Sequence, residues 1–243
     1  MSKVLSLVYG LVCYAFFLAT FLYAIGFVAG AGVPRSIDSG HAAGGLPSLL
    51  IDLGLLSLFA VQHSVMARPW FKERWTRIVP HAIERSTFVL ASSLALALLF
   101  WQWRPLPQLV WDVDAPALRA LLRGLSALGW LTVLLGTFMI SHAQLFGVSQ
   151  VWARLRGQSP AEPPFQTRGF YRYVRHPLMV GFLIAFWATP AMSVGHLVFA
   201  GACTGYILIA TLGFEERDLE RSMGEPYREY RRRVPAFLPR LGR

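Results

Sequence analysis

Five long stretches of this chain, residues 4–34, 53–67, 86–103, 124–153 and 177–214, contain no Asp, Glu, Lys or Arg. About 20 apolar residues in a helix cross a bilayer core of roughly 30 Å. A water-soluble fold has nowhere to bury so many uninterrupted apolar runs. Only 15% of the 243 residues are charged and 55% are hydrophobic, against about a quarter charged in an ordinary soluble domain. The fold class that follows is all-α, a polytopic transmembrane helical bundle of about five to six spans.

The first run is too long for the apolar core of a signal peptide, about 7–15 residues, and carries no small-residue cleavage site. It reads as a permanent span over 4–29. A second span covers 48–66, with Asp52 near its outer end, and a basic segment with Trp70 and Trp75 follows. The third occupies 86–103 and stops at Arg104-Pro105, and the fourth runs over 124–142. The last charge-free run has 38 residues, about 57 Å as one straight helix, too long for one crossing. Pro190 and Gly195 bracket its middle, so the spacing predicts a hairpin of helices over 177–190 and 196–213, six crossings in all.

Charge supports that count. With the N-terminus inside, nineteen Lys and Arg fall on inner segments and four (Arg35, Arg104, Arg119, Arg123) outside, as cytoplasmic loops collect basic residues. The net charge of +10 has this membrane explanation, and nucleic acid is not expected as a partner. Cys13 and Cys203 both sit in apolar runs and read as small buried hydrophobes, neither a disulfide nor a thiolate metal site.

Two segments carry chemistry. In residues 167–181, Gly169 permits a turn, aromatic and basic residues alternate up to Arg175-His176, and Pro177 suits a first helical turn because its missing N–H has no partner there anyway. Arg175 and His176 therefore stand at a helix N-terminus on the cytoplasmic boundary, a cradle for an anionic or polar cofactor; an interfacial anchor of Arg and Tyr explains the pattern as well. The second segment, Phe214 to Glu220, opens with Glu215-Glu216 at the end of a span, where carboxylates are costly unless paired or functional. A hairpin returns its second end beside its first, so Glu215 and Glu216 are expected to face Arg175 and His176, as a structural ion pair or a working one.

Arg175-His176-Pro177, Glu215-Glu216, the Gly224–Tyr227–Tyr230 spacing and the Val234-Pro235 to Pro239 tail together resemble the isoprenylcysteine carboxyl methyltransferase superfamily. Phospholipid N-methyltransferases have a similar tail. The likeness covers about the last 75 residues. It implies S-adenosylmethionine bound at the cytoplasmic face by Tyr173, Arg175, His176, Glu215 and Glu216, with Tyr171 and Tyr227. Met179 and Met223 stand where that superfamily often has Tyr and Phe, departures that bear on a prenylcysteine acceptor more than on the cofactor.

Upstream, Gln62-His63-Ser64-Val65-Met66-Ala67-Arg68 closes the second span. Ser141-His142-Ala143-Gln144-Leu145-Phe146-Gly147, with Gln150-Val151-Trp152, closes the fourth. With the tail, these are similar to the bacterial methanethiol S-methyltransferases and to membrane proteins connected with nitrite and nitric oxide reduction. The resemblance implies one integral membrane methyltransferase domain over 1–243 with a cofactor-binding core at 142–243. It adds Gln144 and Gln150 to the cofactor contacts and gives methanethiol as acceptor and dimethyl sulfide as product. The expected setting is a bacterial inner membrane with the active site facing the cytoplasm, the lipid bilayer and a small volatile thiol as partners, and no obligate protein partner.

A lone histidine at a helix end is most often a cap or an interfacial residue. His63 and His142 both end spans on the face that holds His176, which points to shared work. A metal is not expected, because no carboxylate or Cys sits at ligand spacing and methyl transfer needs none. A thiolate, not a thiol, is the nucleophile, and apolar burial raises a thiol pKa, so a base or cation must offset that. His63 or His142 is expected to take or relay the proton, with Arg175 or Glu216 positioning it. Two competing readings are a lipid-linked acceptor and a non-catalytic membrane subunit of a respiratory complex. The Arg-His-Pro and Glu-Glu elements on one hairpin argue against the subunit.

Overall fold

A computed structural model describes residues 1–40, 44–159 and 167–239. Arg240 and Arg243 of the basic tail lie outside the described residues. The helices in chain order are α1 (Lys3–Ala29), α2 (Gly45–Ala67), α3 (Pro69–Trp75), α4 (His81–Gln102), α5 (Pro116–Ile140), the single turn α6 (His142–Leu145), α7 (Val148–Arg156), α8 (Pro177–Trp187), α9 (Val194–Leu208), α10 (Glu216–Met223) and α11 (Glu225–Arg233). By length and composition α1, α2, α4, α5 and the continuous helix Val194–Met223 can each cross a membrane, and α8 is a shorter apolar helix. The chain is an all-α polytopic protein. Leu11, Val12, Leu22, Leu50, Leu128 and Phe138 point outward, as lipid-facing side chains must.

Two compact units make up the chain: Met1–Gln108 with His142–Glu162 and Ser193–Val198, and Leu109–Ser141 with Pro163–Met192 and Phe199–Arg243. In the first, α4 packs on α1 and α2, and α7 lies along α1. The contact is close: a Cβ on Gly10 would stand 2.7 Å from a Val151 methyl. In the second, α5 packs on α8 through glycines. A Cβ on Gly129 would lie 2.6 Å from the Ala185 nitrogen, and one on Gly181 would lie 2.7 Å from the Gly129 carbonyl. Small residues let backbones approach where no hydrophobic effect drives helices together.

Several boundaries differ from the sequence expectation. α4 starts at His81, not 86, and so takes Glu84 and Arg85 into the helix. α5 starts at Pro116, a proline in the first turn. In the hairpin, α8 ends at Trp187 after 11 residues, short of 190, because the residue before a proline avoids helical geometry and Pro190 has no N–H to donate. The limb continues as extended chain, and strand β2 (Ala191–Ser193) pairs with β1 (Leu109–Asp112). Val113 N–H reaches the Pro190 carbonyl at 2.9 Å, and Trp111 Nε1 donates to the Thr189 carbonyl at 3.3 Å. Backbone groups freed from the helix are thereby satisfied, as a membrane protein requires.

The second limb runs without a break past the expected 213. Ile209–Glu215 is a π-helical stretch between α9 and α10, a local widening that often marks working regions of helices. Glu215 and Glu216 thus lie inside a helix and not beyond its exit. The limbs are tied by Trp187 Nε1 donating to Thr204 Oγ1 at 2.9 Å and by the Phe186 and Phe199 rings, 5.1 Å apart edge to face.

Candidate functional site

The hairpin brings together the residues that its geometry predicts should meet. Arg175 donates Nε to Glu216 Oε1 at 2.8 Å, and its Nη2 bonds the same oxygen. His176 Nε2 lies 3.1 Å from that oxygen, and Glu215 is 3.9 Å from His176 Nδ1. Arg231 reaches the other Glu216 oxygen at 3.3 Å. Glu216 is 2% exposed, and both its oxygens are held by cations or an imidazole, the condition under which a buried carboxylate is tolerated.

The same knot fastens the C-terminal segment. Arg175 Nη1 donates to the Val234 carbonyl and, at 3.2 Å, to that of Arg231. The backbone N–H groups of Arg175 and His176 donate to Pro235 and Ala236 carbonyls at 2.9 and 3.1 Å. Arg175 therefore spends its donors on a carboxylate and on the chain end. The preceding 3₁₀ turn, Gly169–Arg172, needs its glycine: φ is +57°, and a Cβ would stand 2.6 Å from Met139 Sδ.

Three tyrosines pack round the knot. Tyr227 is 2% exposed, and Tyr230, which belongs to the Gly224–Tyr227–Tyr230 spacing but not to the expected cofactor contacts, donates its hydroxyl to the Tyr171 carbonyl at 2.6 Å. Burial, with the Glu216 charge adding to it, pushes the Tyr227 phenol up to about 12, and burial does the same for Tyr230. Burial also raises Tyr171, whose hydroxyl is enclosed and has no hydrogen-bond partner among the described residues. Raised in this way, the phenols keep their protons at physiological pH and so keep an O–H to donate. Tyr173 is 65% exposed.

His63 and His142 belong to the other unit. His142 opens α6, with Nε2 2.9 Å from the Tyr14 hydroxyl and its ring 4.8 Å from Phe146; burial holds its pKa below the ordinary imidazole value. His63 Nδ1 lies 3.1 Å from Ser92 Oγ, and its ring packs between Phe59 and Phe88 at 5.3 and 4.9 Å. Arg85 lies over Phe88 and donates to the Leu145 carbonyl. Its basic character alone could not distinguish it from the other arginines that flank the spans. Gln150 Nε2 donates to the Gln144 carbonyl at 3.1 Å. Among the described residues, no group of three or more His, Cys, Asp or Glu could hold a metal ion.

The model of a family described as NnrU protein matches residues 51–230. A methanethiol S-methyltransferase of Mycobacterium tuberculosis is 54% identical over 239 residues, covering 98% of each chain. Methanethiol S-methyltransferase 2 of Bradyrhizobium diazoefficiens is 52% identical over 99% of this chain and 92% of its own. The methanethiol S-methyltransferase of Crocosphaera subtropica is 48% identical over 100% and 95%. No solved structure matches.

Proposed function

The chain belongs to the NnrU protein family and to that of the methanethiol S-methyltransferases, and we propose that it methylates methanethiol to dimethyl sulfide with S-adenosylmethionine as donor. The observation that carries this reading is 54% identity to a methanethiol S-methyltransferase across 98% of both chains. Positive-inside bias supports a site on the cytoplasmic face of the membrane, which we take to be a bacterial inner membrane, and a small apolar thiol reaches it through the bilayer.

The groups round the hairpin knot suit the donor's chemistry. The acid pair and the phenols suit a sulfonium and an ammonium, and the enclosed, unpartnered Tyr171 hydroxyl is a donor in want of an acceptor. Arg175, His176 and Glu216 hold the frame; Glu215, Tyr171, Tyr173 and Tyr227 contact the donor, within a cofactor-binding core at 142–243. When bound, S-adenosylmethionine supplies an electrophilic methyl group on a cationic sulfur.

Charge explains the setting. A thiolate and a sulfonium cancel each other's charge as the methyl group moves, so a low-dielectric site favours the transition state over the separated ions. His142, kept neutral by burial, and His63 are the bases available to take the thiol proton.

Headspace gas analysis of purified protein supplied with S-adenosylmethionine and methanethiol tests the reading. Dimethyl sulfide accumulating with time and enzyme is the expected result. Its absence, with prenylcysteine or a phospholipid amine methylated instead, would move the acceptor to the lipid class.

A further inference from the structure

An arginine within a membrane-spanning helix is costly unless something anionic or dipolar receives it. Arg85 sits in the first turns of α4. Its Nε donates to the Leu145 carbonyl at 2.7 Å, and the guanidinium lies 4.9 Å from the centre of the Phe88 ring. Among the described residues, no carboxylate stands within ion-pair distance of it, and neither Nη group has a hydrogen-bond acceptor. Glu84 precedes it directly, and adjacent positions on a helix do not face each other. Arg68, at the end of α2, turns its Nε to the Ser64 carbonyl.

The Phe88 ring that carries this cation lies 4.9 Å from the ring of His63. His63 Nδ1 lies 3.1 Å from Ser92 Oγ; in the tautomer that donates Nδ1–H to that oxygen, Nε2 is an acceptor, and no described residue donates to it. A guanidinium with open donors and an imidazole with an open lone pair thus share one aromatic neighbour, with Phe59 as a further apolar wall.

We propose that Arg85 and His63 form the acceptor-thiol site, Arg85 Nη holding the sulfur as thiolate and His63 Nε2 receiving its proton. The proposal rests on the methyl-transfer reading and assigns the acceptor half of it. The S–H bond breaks with its electron pair kept on sulfur, and the proton passes to Nε2 to give an imidazolium. The sulfur pair then forms the new S–CH3 bond as the donor's S–CH3 bond breaks, and the pair from that bond neutralises the donor sulfur. The imidazolium returns its proton to water. The guanidinium offsets the rise in thiol pKa that apolar burial imposes. It attracts the thiolate and not the neutral thioether product, so the interaction that promotes reaction does not retain the product.

Arg85→Gln and His63→Gln, assayed with methanethiol over pH 6–10, test the assignment beside calorimetric titration with S-adenosylhomocysteine. The proposal expects kcat/KM for methanethiol to fall about 100-fold at pH 7 in each, and part of the loss to return at high pH, where solvent makes the thiolate. Affinity for S-adenosylhomocysteine is expected to stay within about twofold, as neither residue is among the donor contacts. Unchanged kcat/KM, or an equal loss of nucleoside affinity, overturns the proposal. In the wild-type protein, iodide is expected to inhibit competitively with methanethiol; no inhibition by iodide would overturn the proposal even if the variants fail to fold. A wild-type protein that methylates no thiol but binds the nucleoside sinks the functional reading instead.

Discussion

Arg175 and Glu216, 41 positions apart, form a buried ion pair whose side chains are 8% and 2% exposed. The pair joins the start of one hairpin limb to the end of the other, and through Arg175 Nη1 it also ties down the Val234 carbonyl. Truncating one partner of such a pair leaves an uncompensated buried charge, at about 3–5 kcal/mol. Glu216→Ala is expected to lower the melting temperature of the detergent-purified protein by on the order of 10 °C, and Arg175→Ala by a similar amount. Thermal unfolding followed by tryptophan fluorescence checks this. A melting temperature unchanged by either substitution contradicts it.

The α5–α8 crossing depends on Gly129 and Gly181, whose hypothetical Cβ atoms meet backbone at 2.6 and 2.7 Å. Gly129→Ala and Gly181→Ala are each expected to cost about 1–3 kcal/mol by overpacking. Gly124→Ala on the same helix meets nothing within 4 Å and is expected to be neutral or slightly stabilising. Melting curves of the three variants, measured together, separate packing from helix propensity.

Much of this architecture is legible in the chain. Charge-free runs mark the spans because a bilayer tolerates few charges, and Pro177 with the acid pair marks the hairpin because its two ends must meet. What the chain could not show is nonlocal. Nothing near Pro190 announces that β2 finds its hydrogen bonds on β1, nearly 80 positions earlier. The π-helical stretch has no sequence signature. Arg85 counts among the basic residues flanking the spans until Leu145 and Phe88 are seen beside it, and Tyr230 gains its importance from a hydrogen bond to the backbone of Tyr171.

The Tyr171 hydroxyl is enclosed without a partner among the described residues. Removing a buried unsatisfied hydroxyl is neutral or stabilising, so Tyr171→Phe is expected to melt no lower than wild type. If that hydroxyl binds the donor, S-adenosylhomocysteine affinity falls about tenfold, the worth of one hydrogen bond. Titration calorimetry and a melting curve on one preparation give both numbers. Lower stability with unchanged affinity would make Tyr171 structural.

His142 sets a pH dependence whose sign is fixed. Burial lowers its folded pKa below the unfolded imidazole value near 6.5, so below that pH the unfolded state binds more protons. Stability from this group is complete above pH 6.5 and declines as pH falls through the folded value. His142→Asn is expected to flatten the fall of melting temperature between pH 6.5 and 5. A profile as steep as wild type would remove His142 as the source.

Methyl transfer from a sulfonium donor onto methanethiol by this membrane bundle leaves an isotopic signature in the product. Purified protein in liposomes, given S-adenosylmethionine labelled with deuterium in its methyl group and unlabelled methanethiol, is read by headspace gas chromatography with mass detection. The expected product is dimethyl sulfide carrying one labelled and one unlabelled methyl group, in proportion to enzyme and lost in Glu216→Ala. Unlabelled product, or none while S-adenosylhomocysteine still binds, would contradict it.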